Sequence, residues 1–205
     1  TWVDGTRNPR WNLASRWGGV LSALNVARGA STFDVGVHAL AYSRDHRFAD
    51  RPDLESPGYA NRGYKQEASA FVKASRTLGG VTVFGDLQGR AVNFRYRPTA
   101  GSPVPTSEVS WTFLNPRVGL SWRAAPSLRL FASGGATGRE PTRADLLAGA
   151  GDIAPADTAD LLPLTRVRPE RVRNLEAGVE WTRGTAVLRG NVYAMEFRDE
   201  ITLVG

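Results

Sequence analysis

Leu128-Arg129-Leu130-Phe131-Ala132-Ser133-Gly134-Gly135-Ala136-Thr137-Gly138 divides by parity. One set is apolar or small: Leu128, Leu130, Ala132, Gly134 and Ala136. The other is Arg129, Phe131, Ser133, Gly135 and Thr137. Successive side chains of a β-strand point to opposite faces, so this stretch reads as a strand with one greasy and one polar side. Arg117 to Arg123 repeats the pattern, with Val118, Leu120 and Trp122 against Arg117, Gly119, Ser121 and Arg123. Asn174 to Thr182 sets Leu175, Ala177, Val179 and Trp181 against Asn174, Glu176, Gly178, Glu180 and Thr182. Glu67 to Leu78 alternates too, with Phe71 interrupting its polar side, and Phe33 to Arg44 does so more loosely. Val81 to Arg97 keeps its phase to about Ala91, after which the apolar set becomes Val92, Phe94 and Tyr96. A β-bulge is expected there, because one extra residue shifts every later side chain to the other face.

Extending this reading gives eight strands, at about 17–28, 32–47, 65–78, 81–97, 110–124, 128–138, 170–183 and 186–203. Short turns fall near Gly29-Ala30-Ser31, Leu78-Gly79-Gly80, Ala125-Pro126-Ser127 and Gly184-Thr185. Long polar connections run through Phe48–Tyr64, Pro98–Val109 and Arg139–Pro169, and the stretch up to Arg16 reads as the tail of a fourth. Helical spacing is confined to Thr142–Ala148, expected as about two turns inside the longest loop. The arrangement is a meander with short turns on one rim and long loops on the other.

Composition narrows the class. The chain has 205 residues, 41% hydrophobic and 22% charged, which fits neither a disordered tail nor a set of apolar spanning helices. Cysteine is absent, so disulfides, thiolate metal sites and cysteine nucleophiles are excluded. The net charge is +6, and the only lysines are Lys65 and Lys73, so the basic side is arginine. Such a balance permits anionic partners; a coding bias towards arginine is the plainer reading.

A soluble sandwich also alternates. Three features favour a barrel in an outer membrane. Several strands run well past the 5–6 residues common in soluble sheets, whereas a tilted strand crossing a bilayer takes roughly 9–11. Short-turn and long-loop rims match the periplasmic and extracellular sides of such barrels. Trp122 and Trp181 lie on the apolar side just before short turns, where an interfacial aromatic girdle belongs, and Trp111 and Phe113 are expected in the opposite girdle. The other faces carry Asp34, His38, Arg44, Glu67, Lys73, Asp86, Gln88, Arg90, Arg117, Arg129, Glu176, Glu180 and Arg189. Charges in that number are costly in a dry core and ordinary in a wet lumen.

The chain resembles a family. Phe113-Leu114-Asn115-Pro116-Arg117-Val118-Gly119-Leu120-Ser121-Trp122 is followed by Leu130-Phe131-Ala132-Ser133 and Gly138-Arg139-Glu140-Pro141-Thr142-Arg143. Arg168-Pro169-Glu170-Arg171-Val172-Arg173-Asn174-Leu175-Glu176-Ala177-Gly178 and Asn191-Val192-Tyr193-Ala194-Met195-Glu196-Phe197-Arg198-Asp199-Glu200-Ile201 complete the series. In order and spacing these look like the barrel of TonB-dependent outer-membrane receptors. The resemblance implies an all-β, antiparallel transmembrane barrel segment, about eight meander strands of a presumed 22-stranded wall. Residues 1–205 would be part of one barrel domain, with the plug, TonB box and signal peptide of such receptors absent. Thr1 and Gly205 both look like cut ends, so the chain is expected to be a piece of a larger protein. By the same resemblance the intact protein sits in the outer membrane of a Gram-negative bacterium and imports a scarce ligand. A ferric siderophore is the leading choice, beside cobalamin, haem or a glycan. Its partners would be the TonB complex, through the N-terminal part, that ligand, and outer-membrane lipid and lipopolysaccharide. A soluble β-sandwich binding module, or a small barrel acting as an adhesin or passive pore, remains the alternative.

The candidate ligand contacts at the extracellular mouth are Tyr59, Tyr64, Trp111, Arg139, Arg143 and Arg168. Aromatic rings near loop ends can stack on a catecholate, and arginine captures carboxylate or phosphate in bidentate fashion. Girdle or loop packing is the plainer reading of the aromatics. For Arg139-Glu140 and Arg168-Pro169-Glu170 it is a cross-strand charge ladder. Asp145, Asp152, Asp157 and Asp160 have no EF-hand spacing and read as a solvated loop rather than a calcium site. His38 and His46 lack metal-ligand spacing and read as satisfied lumen or loop-base histidines. No catalytic residue, metal site or cofactor is assigned, since no G-x-S-x-G is present and the Gly-rich stretches lack a strand-to-helix context. Arg90, Arg95 and Arg97 with Phe94 and Tyr96 faintly suggest a nucleic-acid surface, but on a barrel strand they read as lumen and rim, and no nucleic-acid partner is expected.

Overall fold

Each long alternating run forms a strand, and each joins the next in the chain. The computed structural model describes residues 10–50, 53–100, 105–147 and 166–201. Its strands are β1 (Arg10–Arg28), β2 (Ser31–Ala49), β3 (Tyr59–Leu78), β4 (Val81–Ala100), β5 (Ser107–Ala125), β6 (Leu128–Arg139), β7 (Glu170–Arg183) and β8 (Ala186–Arg198). One helical turn, α1 (Arg143–Leu146), follows β6. All eight strands lie in one antiparallel sheet in chain order, and β1 and β8 are its two unpaired edges. The sheet is therefore an open wall rather than a closed eight-stranded barrel, and no second sheet lies on it among the described residues.

The turns explain the tight rim. Gly29, Gly79 and Gly184 each open a two-residue connection with φ near +58° or +59°, a region that residues with a Cβ rarely enter. The other rim carries the long connections. Strand β1 begins at Arg10, so the stretch to Arg16, expected as loop, is strand, paired Arg10↔Ala49 through Arg16↔Ser43. The helix is shorter than expected, one turn with a Thr142/Asp145 capping box. The described part of the last strand ends at Arg198, and residues 202–203 of the expected strand lie outside the described residues.

Register fixes the two faces. Phe33, Val35 and Val37 of β2 share a face with Val72 of β3, Val83 and Leu87 of β4, Val118, Leu120 and Trp122 of β5, Leu130 of β6, and Leu175, Val179 and Trp181 of β7. This side is bare. Val118 in the middle of the sheet is 64% exposed and Leu175 is 68% exposed. A continuous apolar face of this extent needs a non-aqueous neighbour. Above it, towards the long connections, the same face turns polar with Asp45, Arg62, Asn93, Arg95, Glu108 and Arg173.

The opposite, inward face carries the charges. Lys73 stands 3.9 Å from Asp86, Glu180 accepts from Arg129 at 3.0 Å and from Arg189 at 2.5 Å, and Asn191 donates to Glu176 at 2.7 Å. Phe71, Phe84 and Phe131 are aromatic members of this face. Each ring lies across a glycine of a neighbouring strand: a Cβ on Gly36 would sit 2.5 Å from Phe71 Cζ, one on Gly119 2.5 Å from Phe84 Cζ, and one on Gly178 2.4 Å from Phe131 Cζ. The interruption at Phe71 is thus an aromatic laid over a backbone that has no side chain to collide with it.

The phase change in β4 has another cause than the expected bulge. Pairing runs without a shift from Val81↔Leu78 to Arg97↔Arg62, and from Val81↔Trp122 to Tyr96↔Ser107. Val92, Phe94 and Tyr96 therefore point inward, the same way as Arg90. They are buried with Val109, Trp111, Phe113, Leu146 and Leu147 in the main core cluster. Trp111 and Phe113, each 8% exposed, belong to this inner cluster and not to an outer girdle.

Candidate functional site

The inner cluster exists because the segment after β6 folds back onto the wall. Leu146 and Leu147 supply its roof from α1, and a carboxylate pins the start of the segment. Glu140 meets Lys65 Nζ at 2.5 Å and Arg90 Nη2 at 2.6 Å. Arg90 also reaches Glu67 at 3.2 Å, donates to the Gly138 carbonyl at 3.1 Å, and lies 4.7 Å from the centroid of the Phe113 ring. His38 stands 3.9 Å from Glu67. Four strands and the loop thus meet in one ionic knot, with Glu140 and Arg90 both largely buried. Burial pushes the Glu140 carboxyl up, but hydrogen bonds from Lys65 and Arg90 outweigh it and hold the group below its ordinary range.

Between this folded segment and the wall lies a cavity of about 500 Å³, lined by Tyr42, Arg44, His46, Lys65, Trp111 and Arg143 among others. Among the described residues its one carboxylate, Glu140, is already held by two cations. The remaining charge is basic. Two buried nitrogens in this lining have no hydrogen-bond partner among the described residues: His46 Nε2 and Arg143 Nε. Arg143 Nη2 makes a long contact, 3.5 Å, to Asn61 Oδ1. Buried polar nitrogens without partners are rare, and these line a space large enough for part of a ligand. Among the described residues His46 Nε2 is left without a partner, unlike the satisfied histidine expected from its isolation in sequence.

Of the six expected contacts, Trp111, Arg139 and Arg143 border this chamber. Tyr64 borders it from β3, but its register between Ser43 and Arg95 sets its side chain on the outward face. Tyr59 is buried beside it in a stack with Phe48, 6.2 Å between centroids, and Trp11. Arg168 stands apart, exposed and 3.6 Å from Asp199. The expected ladder forms in part: Arg139 meets Glu170 at 3.3 Å across β6 and β7, while Glu140 turns inward to the knot. Asp145 closes the capping box from the N3 position, accepting from the backbone N–H of the cap residue Thr142 at 2.7 Å. Asp152, Asp157 and Asp160 lie outside the described residues. No group of three or more potential metal ligands occurs among the described residues. Strand parity divides the suspected nucleic-acid cluster, sending Arg90 inward and Arg95 and Arg97 outward.

Comparison with known proteins follows the same lines. The family model of the TonB dependent receptor-like β-barrel matches residues 2–205. The chain belongs to that family. Solved receptors share its fold. The copper transporter OprC superposes at a TM-score of 0.72 and 16% identity over 90% of this chain and 30% of its own. The ferric citrate transporter FecA gives 0.63 at 13% identity, covering 95% and 29%. The ferric yersiniabactin uptake receptor FyuA from Yersinia pestis gives 0.64 at 12%, covering 94% and 30%. No curated protein sequence matches. The chain thus spans about 30% of the length of these receptors. Membership of the barrel family makes the bare apolar face the outward side of the wall and the charged face its lumen side. The soluble sandwich is set aside by the fold.

Proposed function

We propose that the chain is a stretch of the wall of an outer-membrane TonB-dependent transporter. Its intact form takes up an anionic metal chelate of the ferric-siderophore class, driven by TonB acting through an N-terminal plug. The supporting observation is the basic chamber, where Arg44, Lys65 and Arg143 converge with the unpartnered His46 and Arg143 nitrogens. A chelate bearing carboxylate or phenolate oxygens supplies an acceptor for the Arg143 guanidinium, and Trp111 and Tyr42 line the same cavity. Residues 1–205 then form part of one barrel domain whose remaining strands and plug lie elsewhere in the protein.

The test is growth. A strain lacking the receptor should fail on ferric chelates as the sole iron source. Restoring it with Arg143→Ala should raise the chelate concentration needed for half-maximal growth about ten-fold, the effect of losing one charge-assisted contact. Failure confined to cobalamin or to a glycan would refute the chelate class.

A further inference from the structure

Asn61 sits where a strand ladder slips. β3 and β4 pair without a shift up to Asn61↔Pro98, and the next pair is Ala60↔Ala100, one residue longer on β4. Such a bulge bends its strand and re-aims side chains. On its other side Asn61 is the direct partner of His46, on the inward face. The side chain is polar, yet the residue is only 3% exposed. Its Oδ1 accepts the 3.5 Å contact from Arg143 Nη2.

The partners of the inward arginines differ in charge. Arg90 meets Glu67 and Glu140, Arg129 meets Glu180, and Arg139 meets Glu170. In the chamber, Arg143 meets the Asn61 amide, and Arg44 donates from Nε to the Ser15 hydroxyl at 2.9 Å. No carboxylate pairs with Arg143 or Arg44 among the described residues. Burial pulls the Arg143 guanidinium below its ordinary value, and Arg44 adds to that pull. An aspartate in place of Asn61 would be nearly isosteric and would supply the missing counter-charge to Arg143. The amide withholds it, at a cost in stability that sites built to bind commonly carry.

We propose that Asn61 is the positioning residue of the basic chamber: its neutral oxygen steers the Arg143 guanidinium and leaves the charge free for an incoming anion. A carboxylate at the same place would hold the guanidinium more firmly and neutralise it. Asn61 acts through Arg143. The inference rests on the anionic ligand given under the proposed function.

The test uses the whole receptor in mild detergent, with ferric citrate and iron tris(catecholate) as anionic probes. Asn61→Asp should weaken binding of the tighter probe about ten-fold, the effect of losing one charge-assisted contact. The same variant should slow protease cleavage within residues 140–147 about three-fold, because an ion pair then ties Arg143 to β3. Asn61→Ala should weaken binding less, about three-fold, and speed that cleavage. In an Arg143→Ala background, Asn61→Asp should change affinity by less than about two-fold, since a residue acting through another is not additive with it. A merely structural role makes binding and cleavage resistance fall together in the aspartate variant, and that result would overturn the proposal. Unchanged affinity would do the same, as would losses that simply add in the double variant. A wild-type receptor that binds neither probe would instead overturn the anionic-chelate reading, a separate readout.

Discussion

The turn-side and loop-side halves of the inner wall are built on different rules. Near the short turns the inward face is a ladder of exposed charges, Lys73–Asp86 and Arg129–Glu180, resting on water. Near the long connections it becomes a core: Val92, Phe94, Tyr96, Trp111 and Phe113 lie under Leu146 and Leu147, with the Glu140 knot beneath. The outward face inverts in step, apolar below and charged above. A single strand, β4, therefore carries two opposite patterns without a break in pairing. Alternation reports that two faces differ; what covers each face decides which one is apolar.

Replacement of inward Trp111 and outward Trp122 breaks this contrast most strongly. Trp111→Ala should cost about 3 kcal/mol of local stability, since it empties a packed site, whereas Trp122→Ala should cost below about 1 kcal/mol. Hydrogen exchange of β4 and β5 amides in the whole receptor measures both, and equal losses would erase the distinction. Next in size is Glu140→Ala, which strands Lys65 and Arg90. About 2 kcal/mol of the anchoring of residues 140–147 should be lost, seen as faster protease cleavage there, with the turn rim unaffected.

The pH dependence sharpens the same point. Because the folded Glu140 carboxyl titrates below its ordinary range, its anchoring is complete above the unfolded value and disappears as pH falls through the lowered folded value. Cleavage within 140–147 should be flat from pH 7 to 5 and rise only below about 4. The smallest effect belongs to Gly178→Ala. Its Cβ would meet the Phe131 ring, costing about 1 kcal/mol in thermal stability, while Gly85→Ala, with open space around it, should be neutral.

Much of this was legible in residue types. The Gly29, Gly79 and Gly184 turns, the strand count and the lumen charges follow from spacing alone, because turn geometry and parity are local. Phe94 and Trp111 were not legible. Their rings have the composition of a girdle, and only the roof supplied by Leu146 and Leu147, far along the chain, makes them interior. Glu140 was equally opaque: its partners Lys65 and Arg90 lie 75 and 50 residues away, a distance that no periodicity spans. His46 gave no signal either, since an orphaned nitrogen is a property of the cavity around it.

Accessibility along β4 tests the central claim most directly. The chain has no cysteine, so a label at any one position is unique within it. Spin labels placed singly from Val81 to Arg97 in the bilayer-reconstituted receptor should alternate with period two and no change of phase. Val83, Leu87 and Ala91 should meet oxygen dissolved in lipid, and Asp86 and Gln88 should meet polar reagent from the lumen. Val92, Phe94 and Tyr96 should be shielded from both. A slip of one residue after Ala91, turning Val92 and Phe94 towards lipid, would contradict it.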